Sequence, residues 1–126
     1  MATTTIDELN IHIRSHSDLV DVKLSGRLVI ENINRLQPLL HSEIKKNPNV
    51  LALNFNQIEQ IDSSTIGFFV KLLHSSVNND VELVFYDFNP SILQLFLVAK
   101  LDKFFSIHTL QEFQNKYLLS RKSMPV

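Results

Sequence analysis

The chain has no cysteine and only two glycines, and each shortage closes a class of chemistry. Without cysteine there is no disulfide framework, no thiolate zinc site and no thiol nucleophile. Two glycines are too few to assemble a glycine-rich phosphate cradle or a dinucleotide-binding fingerprint. Neither sign of charge is in excess. The 12 Lys and Arg against 13 Asp and Glu leave −1, no run of five or six like charges occurs, and a basic nucleic-acid-binding face is not expected. Long apolar runs are missing as well: Ile92 to Ala99 is interrupted by Gln94 and falls far short of the roughly 20 residues that cross a bilayer. Met1 to Glu8 is polar, with two acids and no basic residue, so it lacks the features of a secretory signal. A soluble, cytoplasmic protein is expected.

What is present suits one globular domain: 126 residues, 44% of them hydrophobic. The domain is expected over residues 8–119, with 120–126 as a flexible tail that carries no periodic apolar residues. Leu9, Ile11 and Ile13 alternate with polar residues, and so do Val20, Val22 and Leu24, which predicts two half-buried strands joined by the polar turn Ser15 to Asp18. Such a short connection makes them an antiparallel hairpin. From Ile33 to Lys46 the apolar spacing changes to three and four, through Ile33, Leu36, Leu40 and Ile44, and a helix is expected. Lys45, Lys46, Asn47 and Pro48 mark its end, while Pro38 either delays its start or kinks it near Asn34. Val50 to Phe55 reads as a central strand covered on both faces, followed by a polar loop.

A second helix over Asp62 to Val77 carries the apolar stripe Ile66, Phe69, Val70, Leu73 and Val77, and Val81 to Phe88 is a further strand. Asn89 and Pro90 cap and open a third helix, Ser91 to Lys100. A short edge strand at Phe104 to Ile107 and a last helix near Leu110 to Leu119 complete the pattern. The fold class is α/β: a mixed sheet of four to five strands, opened by the antiparallel hairpin and continued by parallel strands, packed with about four helices.

The segment Ile61, Asp62, Ser63, Ser64, Thr65, Ile66, Gly67 places small polar residues where a strand-following loop becomes a helix. Asp, Ser and Thr accept hydrogen bonds from the unpaired amides of a first helical turn, worth about 1 kcal/mol for a good cap. Capping alone is the ordinary account of such a segment.

Taken with Gly26, Arg27 and Leu28 before the first helix, and with Asn89, Pro90 followed by Leu101, Asp102, Lys103, Phe104 and Phe105, this segment resembles the STAS domain family, whose best-known members are bacterial anti-sigma factor antagonists. The resemblance covers most of the chain and implies a STAS-like fold. In phosphorylatable members the first Ser after the Asp is phosphorylated by a partner kinase, and that position falls on Ser63. Asp62, Ser64 and Thr65 are then the supporting residues of the switch. Two positions depart from the family pattern. Thr65 stands where a glycine is usual, and Val29 stands where an aspartate is frequent. The implied partner is an anti-sigma factor or a serine kinase of the same pathway. The alternative is a scaffold subunit of a larger signalling or transport-associated complex, in which Ser63 and Ser64 only cap a helix.

On a helical wheel Phe68 and Leu72 fall off the core stripe, on the side of Lys71 and Ser75, so Phe68, Lys71 and Leu72 are candidates for the partner surface. The third helix is apolar nearly all round. Leu93 and Leu97 are candidates for a contact with a second chain, such as a homodimer, with burial inside the monomer as the simpler account. No catalytic role is expected, since Ser63 lies in no nucleophile elbow and its proximity to Asp62 and His74 along the chain is not triad geometry. No metal or cofactor is expected either, because His12, His16, His41, His74 and His108 are spread over different elements.

Overall fold

A computed structural model describes residues 2–6 and 8–119. Six strands form one sheet in chain order: β1 (Ala2–Ile6), β2 (Leu9–His16), β3 (Leu19–Leu28), β4 (Val50–Ile61), β5 (Glu82–Tyr86) and β6 (Ser106–His108). The pairs β1–β2 and β2–β3 are antiparallel, and β3–β4, β4–β5 and β5–β6 are parallel. This is the mixed α/β arrangement expected from the alternation of patterns, with a strand added ahead of residue 8. The added strand, β1, is rich in Thr, which favours strands, but it has no apolar alternation to announce it. Its place is the sheet edge, in register from Ala2 opposite Ile13 to Ile6 opposite Leu9. The expected tail at 120–126 lies outside the described residues.

Three helices cover one face of the sheet: α1 (Ile30–Lys45), α2 (Ser63–Asn78) and α3 (Pro90–Val98). The core beneath them is largely aromatic. Phe69 of α2 meets Phe55 of β4 at 5.4 Å and Phe85 of β5 at 4.8 Å between ring centroids, and Phe96 of α3 meets Phe55 at 5.8 Å. On the opposite face, α4 (Leu110–Phe113) runs into a π-turn at Gln114–Leu118 and covers Leu19, Val50, Ala52, Val84 and Tyr86 with Phe113 and Tyr117. β4 is thus buried on both faces, which explains its near-continuous apolar run. Among the described residues no helix is long and apolar enough to cross a membrane.

α1 starts at Ile30, earlier than the periodicity suggests, and continues through Pro38. The amide that proline lacks would have served the carbonyl of Asn34, and both residues lie on the exposed side of the helix, where losing that bond costs least. The helix stops as its sequence indicates, with Asn47 in the left-handed region at φ 54° ahead of Pro48.

β3 and β4 both run past their apolar stretches. The polar segment after Phe55, expected as a loop, continues to pair: Ser25 opposite Gln57, Gly26 opposite Ile58, Leu28 opposite Ile61. Register shifts between Lys23 and Ser25 and between Gly26 and Arg27 break the two-residue alternation there, which hides the strand from a periodicity reading. Gly26 sits at φ 113°, and a Cβ there would lie 2.1 Å from the Glu8 carbonyl oxygen, so only glycine allows this close approach of the chain. The consequence for function is positional. Leu28 and Ile61 finish side by side, and α1 and α2 begin within two residues of them, next to each other.

Candidate functional site

The two helix starts share one carboxylate. Asp62, the N-cap of α2, accepts through Oδ1 from the Ser64 amide at 3.0 Å and from the Ser64 hydroxyl. Its Oδ2 accepts from the amide of Ile30, the first residue of α1, at 3.0 Å. Partial burial pushes the Asp62 carboxyl up, but the bonds from Ser64, Ile30 and Thr65 outweigh that and hold it below the usual aspartate value. An anion is stabilised where the positive ends of two helices meet.

Thr65 completes the arrangement. Its hydroxyl donates to the Leu28 carbonyl at 2.7 Å and accepts from the Asp62 amide at 3.1 Å, and the residue is fully buried. A glycine at this position would leave both groups without that partner. The residue that departs from the family pattern is therefore built into the frame of the site, joining the end of β3 to the start of α2.

Val29, the second departure, is buried at the N-cap position of α1 and has no side-chain acceptor. Its cap functions are divided between two other residues. Asn32 accepts from the Val29 amide at 3.1 Å and donates its side-chain amide to the Arg27 carbonyl, while Asp62 takes the Ile30 amide. Sequence reasoning missed Asn32. The signal available was an Asn three residues after a side chain that cannot cap.

Ser63 is exposed as the first residue of α2, and Ser64 is half-buried with its hydroxyl donating to Asp62. The two serines are therefore not equivalent. One faces solvent, and the other is part of the cap. Beyond Ser63, the exposed side of α2 runs through Gly67, Val70, Lys71, His74 and Val77, and a Cβ at Gly67 would meet nothing within 4 Å. His74 stands 11 residues along the helix, about 16 Å at 1.5 Å per residue, which rules out its acting as a base on Ser63.

The proposed anchors on α2 are not where the wheel put them. Phe68 and Leu72 are buried, whereas Val70 and Val77, assigned to the core stripe, are exposed. The reason is that α2 is covered by α1 as well as by the sheet. Phe68 and Leu72 join Ile33, Leu36 and Leu40 of α1 in one cluster, and Ser75 on the same side lies 3.2 Å from the His41 ring. Only Lys71 of the three partner candidates is exposed. On α3 the correction is opposite in sign. Leu97, for which burial in the monomer was the simpler account, is 44% exposed, and Leu93 is half-buried beside Phe88, Ile107 and Leu110 in a cleft of about 210 Å³. Among the described residues no group of three or more His, Asp and Glu is placed to hold a metal ion.

Comparison with known proteins agrees with this fold. A family model described as the STAS domain matches residues 10–114. The anti-sigma-B factor antagonist of Staphylococcus epidermidis is 27% identical over 93 residues, 74% of this chain and 86% of that one. Among solved structures, an anti-sigma factor antagonist from Mycobacterium paratuberculosis superposes with a TM-score of 0.73 at 13% identity, covering 95% of this chain and 96% of that chain. The Bacillus cell fate determinant SpoIIAA in its phosphorylated form gives a TM-score of 0.64 at 15% identity, over 84% of this chain and 97% of that one. At these identities the solved structures speak for the fold.

Proposed function

Since the chain belongs to the STAS domain family, we propose that it is an anti-sigma factor antagonist whose state is set at Ser63. With a free hydroxyl on Ser63 it binds an anti-sigma factor, and phosphorylation of that hydroxyl by a partner serine kinase releases it. The protein acts on transcription indirectly and performs no reaction of its own.

The observation that carries this reading is the exposure of Ser63 in the first turn of α2, beside a serine already committed to the cap. A phosphoryl group adds roughly −1.5 to −2 charges. Next to the depressed carboxyl of Asp62, it confronts any docked surface with two neighbouring anions that must be desolvated together. A cost of about 3 kcal/mol already weakens binding more than a hundredfold. The exclusion is electrostatic and steric, and the fold stays as it is. The names of the Staphylococcus and Mycobacterium relatives, and the phosphorylated form in which SpoIIAA was solved, support the same assignment.

The test is incubation of the chain with ATP and candidate anti-sigma factor kinases, followed by peptide mass spectrometry. Phosphate is expected on Ser63, absent from a Ser63→Ala chain, and accompanied by at least a hundredfold loss of affinity for the anti-sigma factor. Absence of phosphate, or its confinement to Ser64, overturns the switch. Thr65 and Val29 then favour the second reading, a STAS scaffold subunit in which both serines serve only the helix.

A further inference from the structure

We infer that Asp62 is a positioning residue that ties the start of α1 to the first turn of α2, and that charge arriving on Ser63 releases the start of α1. The second half rests on the switch proposed above; the first stands on the geometry alone.

One carboxylate serves two helices with separate oxygens, Oδ1 for Ser64 and Oδ2 for Ile30. Both sets of bonds depend on a single side-chain rotamer, so whatever displaces the carboxylate from α2 also withdraws it from α1. A phosphoryl group on Ser63 acts on it in two ways. It repels the neighbouring carboxylate, and it competes for the Ser64 amide and hydroxyl that hold Oδ1 in place. The bonds that remain at the α2 start do not compensate α1: Thr65 keeps the Leu28 carbonyl and the Asp62 amide, neither of which belongs to α1.

Val29 turns this sharing into a dependence. Because its side chain accepts nothing, the Ile30 amide has Asp62 as its partner, while the neighbouring Val29 amide is held independently by Asn32. Release is therefore confined to Ile30, and Val29 remains bonded. Ile30 is also a large apolar side chain left 56% exposed beside the switch. The effect of charge on Ser63 thus reaches a second surface residue 33 positions earlier in the sequence, with no rearrangement of the core.

The test is amide hydrogen exchange by NMR on the full chain with phosphoserine placed at position 63 by genetic encoding, which bypasses any kinase. Exchange at Ile30 is expected to rise about tenfold, the scale of one charge-assisted hydrogen bond, while Val29 changes less than about twofold. Asp62→Asn, with a single acceptor oxygen, should deprotect either Ile30 or Ser64 before any phosphate is present and should abolish the further response of Ile30. Unchanged exchange at Ile30 in the phosphoserine chain overturns the inference, as does an Asp62→Asn chain that responds as strongly as the native one. Neither result bears on whether a kinase modifies Ser63, so this inference and the proposed switch fail separately.

Discussion

α2 and α3 lie on the same face of the same sheet, and the one with the more apolar sequence buries less of itself. α2 sends Thr65, Phe68, Phe69, Leu72 and Ser76 inward, two of them polar. α3, apolar nearly all round, buries only Ile92 and Phe96 and leaves Leu95, Leu97 and Val98 in solvent. Composition does not decide burial here; neighbours do. α2 has α1 on one flank and the sheet beneath, so a broad arc of its surface is covered, whereas α3 rests on the sheet along a narrow stripe. The polar side chains α2 buries are each satisfied, Thr65 by Leu28 and Ser76 by the Leu72 carbonyl at 2.9 Å, so their burial costs little.

The comparison is broken most directly at two phenylalanines. Phe69 is fully buried among Phe55, Phe68, Phe85, Phe96 and Phe105, and Phe69→Ala is expected to cost about 3–5 kcal/mol in urea unfolding. Phe104, in the turn after α3, is 71% exposed, and Phe104→Ala is expected to shift stability by no more than about 0.5 kcal/mol. Similar losses at the two positions would mean that the surface beyond α3 is covered by something the monomer does not contain.

The same contrast explains what was legible in the sequence. Periodicity located the β2–β3 hairpin and α1, and cap residues located α3, where Asn89 accepts from the Ile92 amide at 3.0 Å ahead of Pro90. Periodicity misled for α2, because a second covered flank moves the boundary between inside and outside by about one helical position, exchanging Phe68 and Leu72 for Val70 and Val77. The bulged ends of β3 and β4 lost their alternation, and β1 never had any. At the site, the capping function of Asp62 toward its own helix was readable from Asp62, Ser63 and Ser64. Its bond to Ile30, 32 residues away, was not, because it arises from the side-by-side finish of two strands and leaves no local pattern.

A smaller effect sharpens the picture inside α2. Thr65→Val keeps the shape of the side chain and removes the hydroxyl that donates to Leu28 and accepts from the Asp62 amide. The buried Leu28 carbonyl and the part-buried Asp62 amide lose a partner, and the expected loss is about 1–3 kcal/mol. Thermal unfolding of this variant beside Thr65→Ser, which retains the hydroxyl and should recover most of the loss, separates the hydrogen bonds from packing. If Thr65→Val were neutral, the threonine would be a passive replacement for the family's glycine and not part of the frame that holds β3 against α2.

The smallest effect is expected on the outer side of α3, and its smallness is informative. Leu97→Ser and Val98→Ser remove apolar surface that is 44% and 70% exposed, so each should change monomer stability by no more than about 0.5 kcal/mol, and the pair should add. Surface substitutions of this kind act on association before they act on folding. The measurement is therefore paired: unfolding at low protein concentration, where nothing should change, and sedimentation across a range of concentrations, where native and double-variant chains are compared. Equal sedimentation leaves Leu97 as solvated apolar surface of an ordinary kind. A native chain that associates while the double variant does not would place a second chain on the outer side of α3.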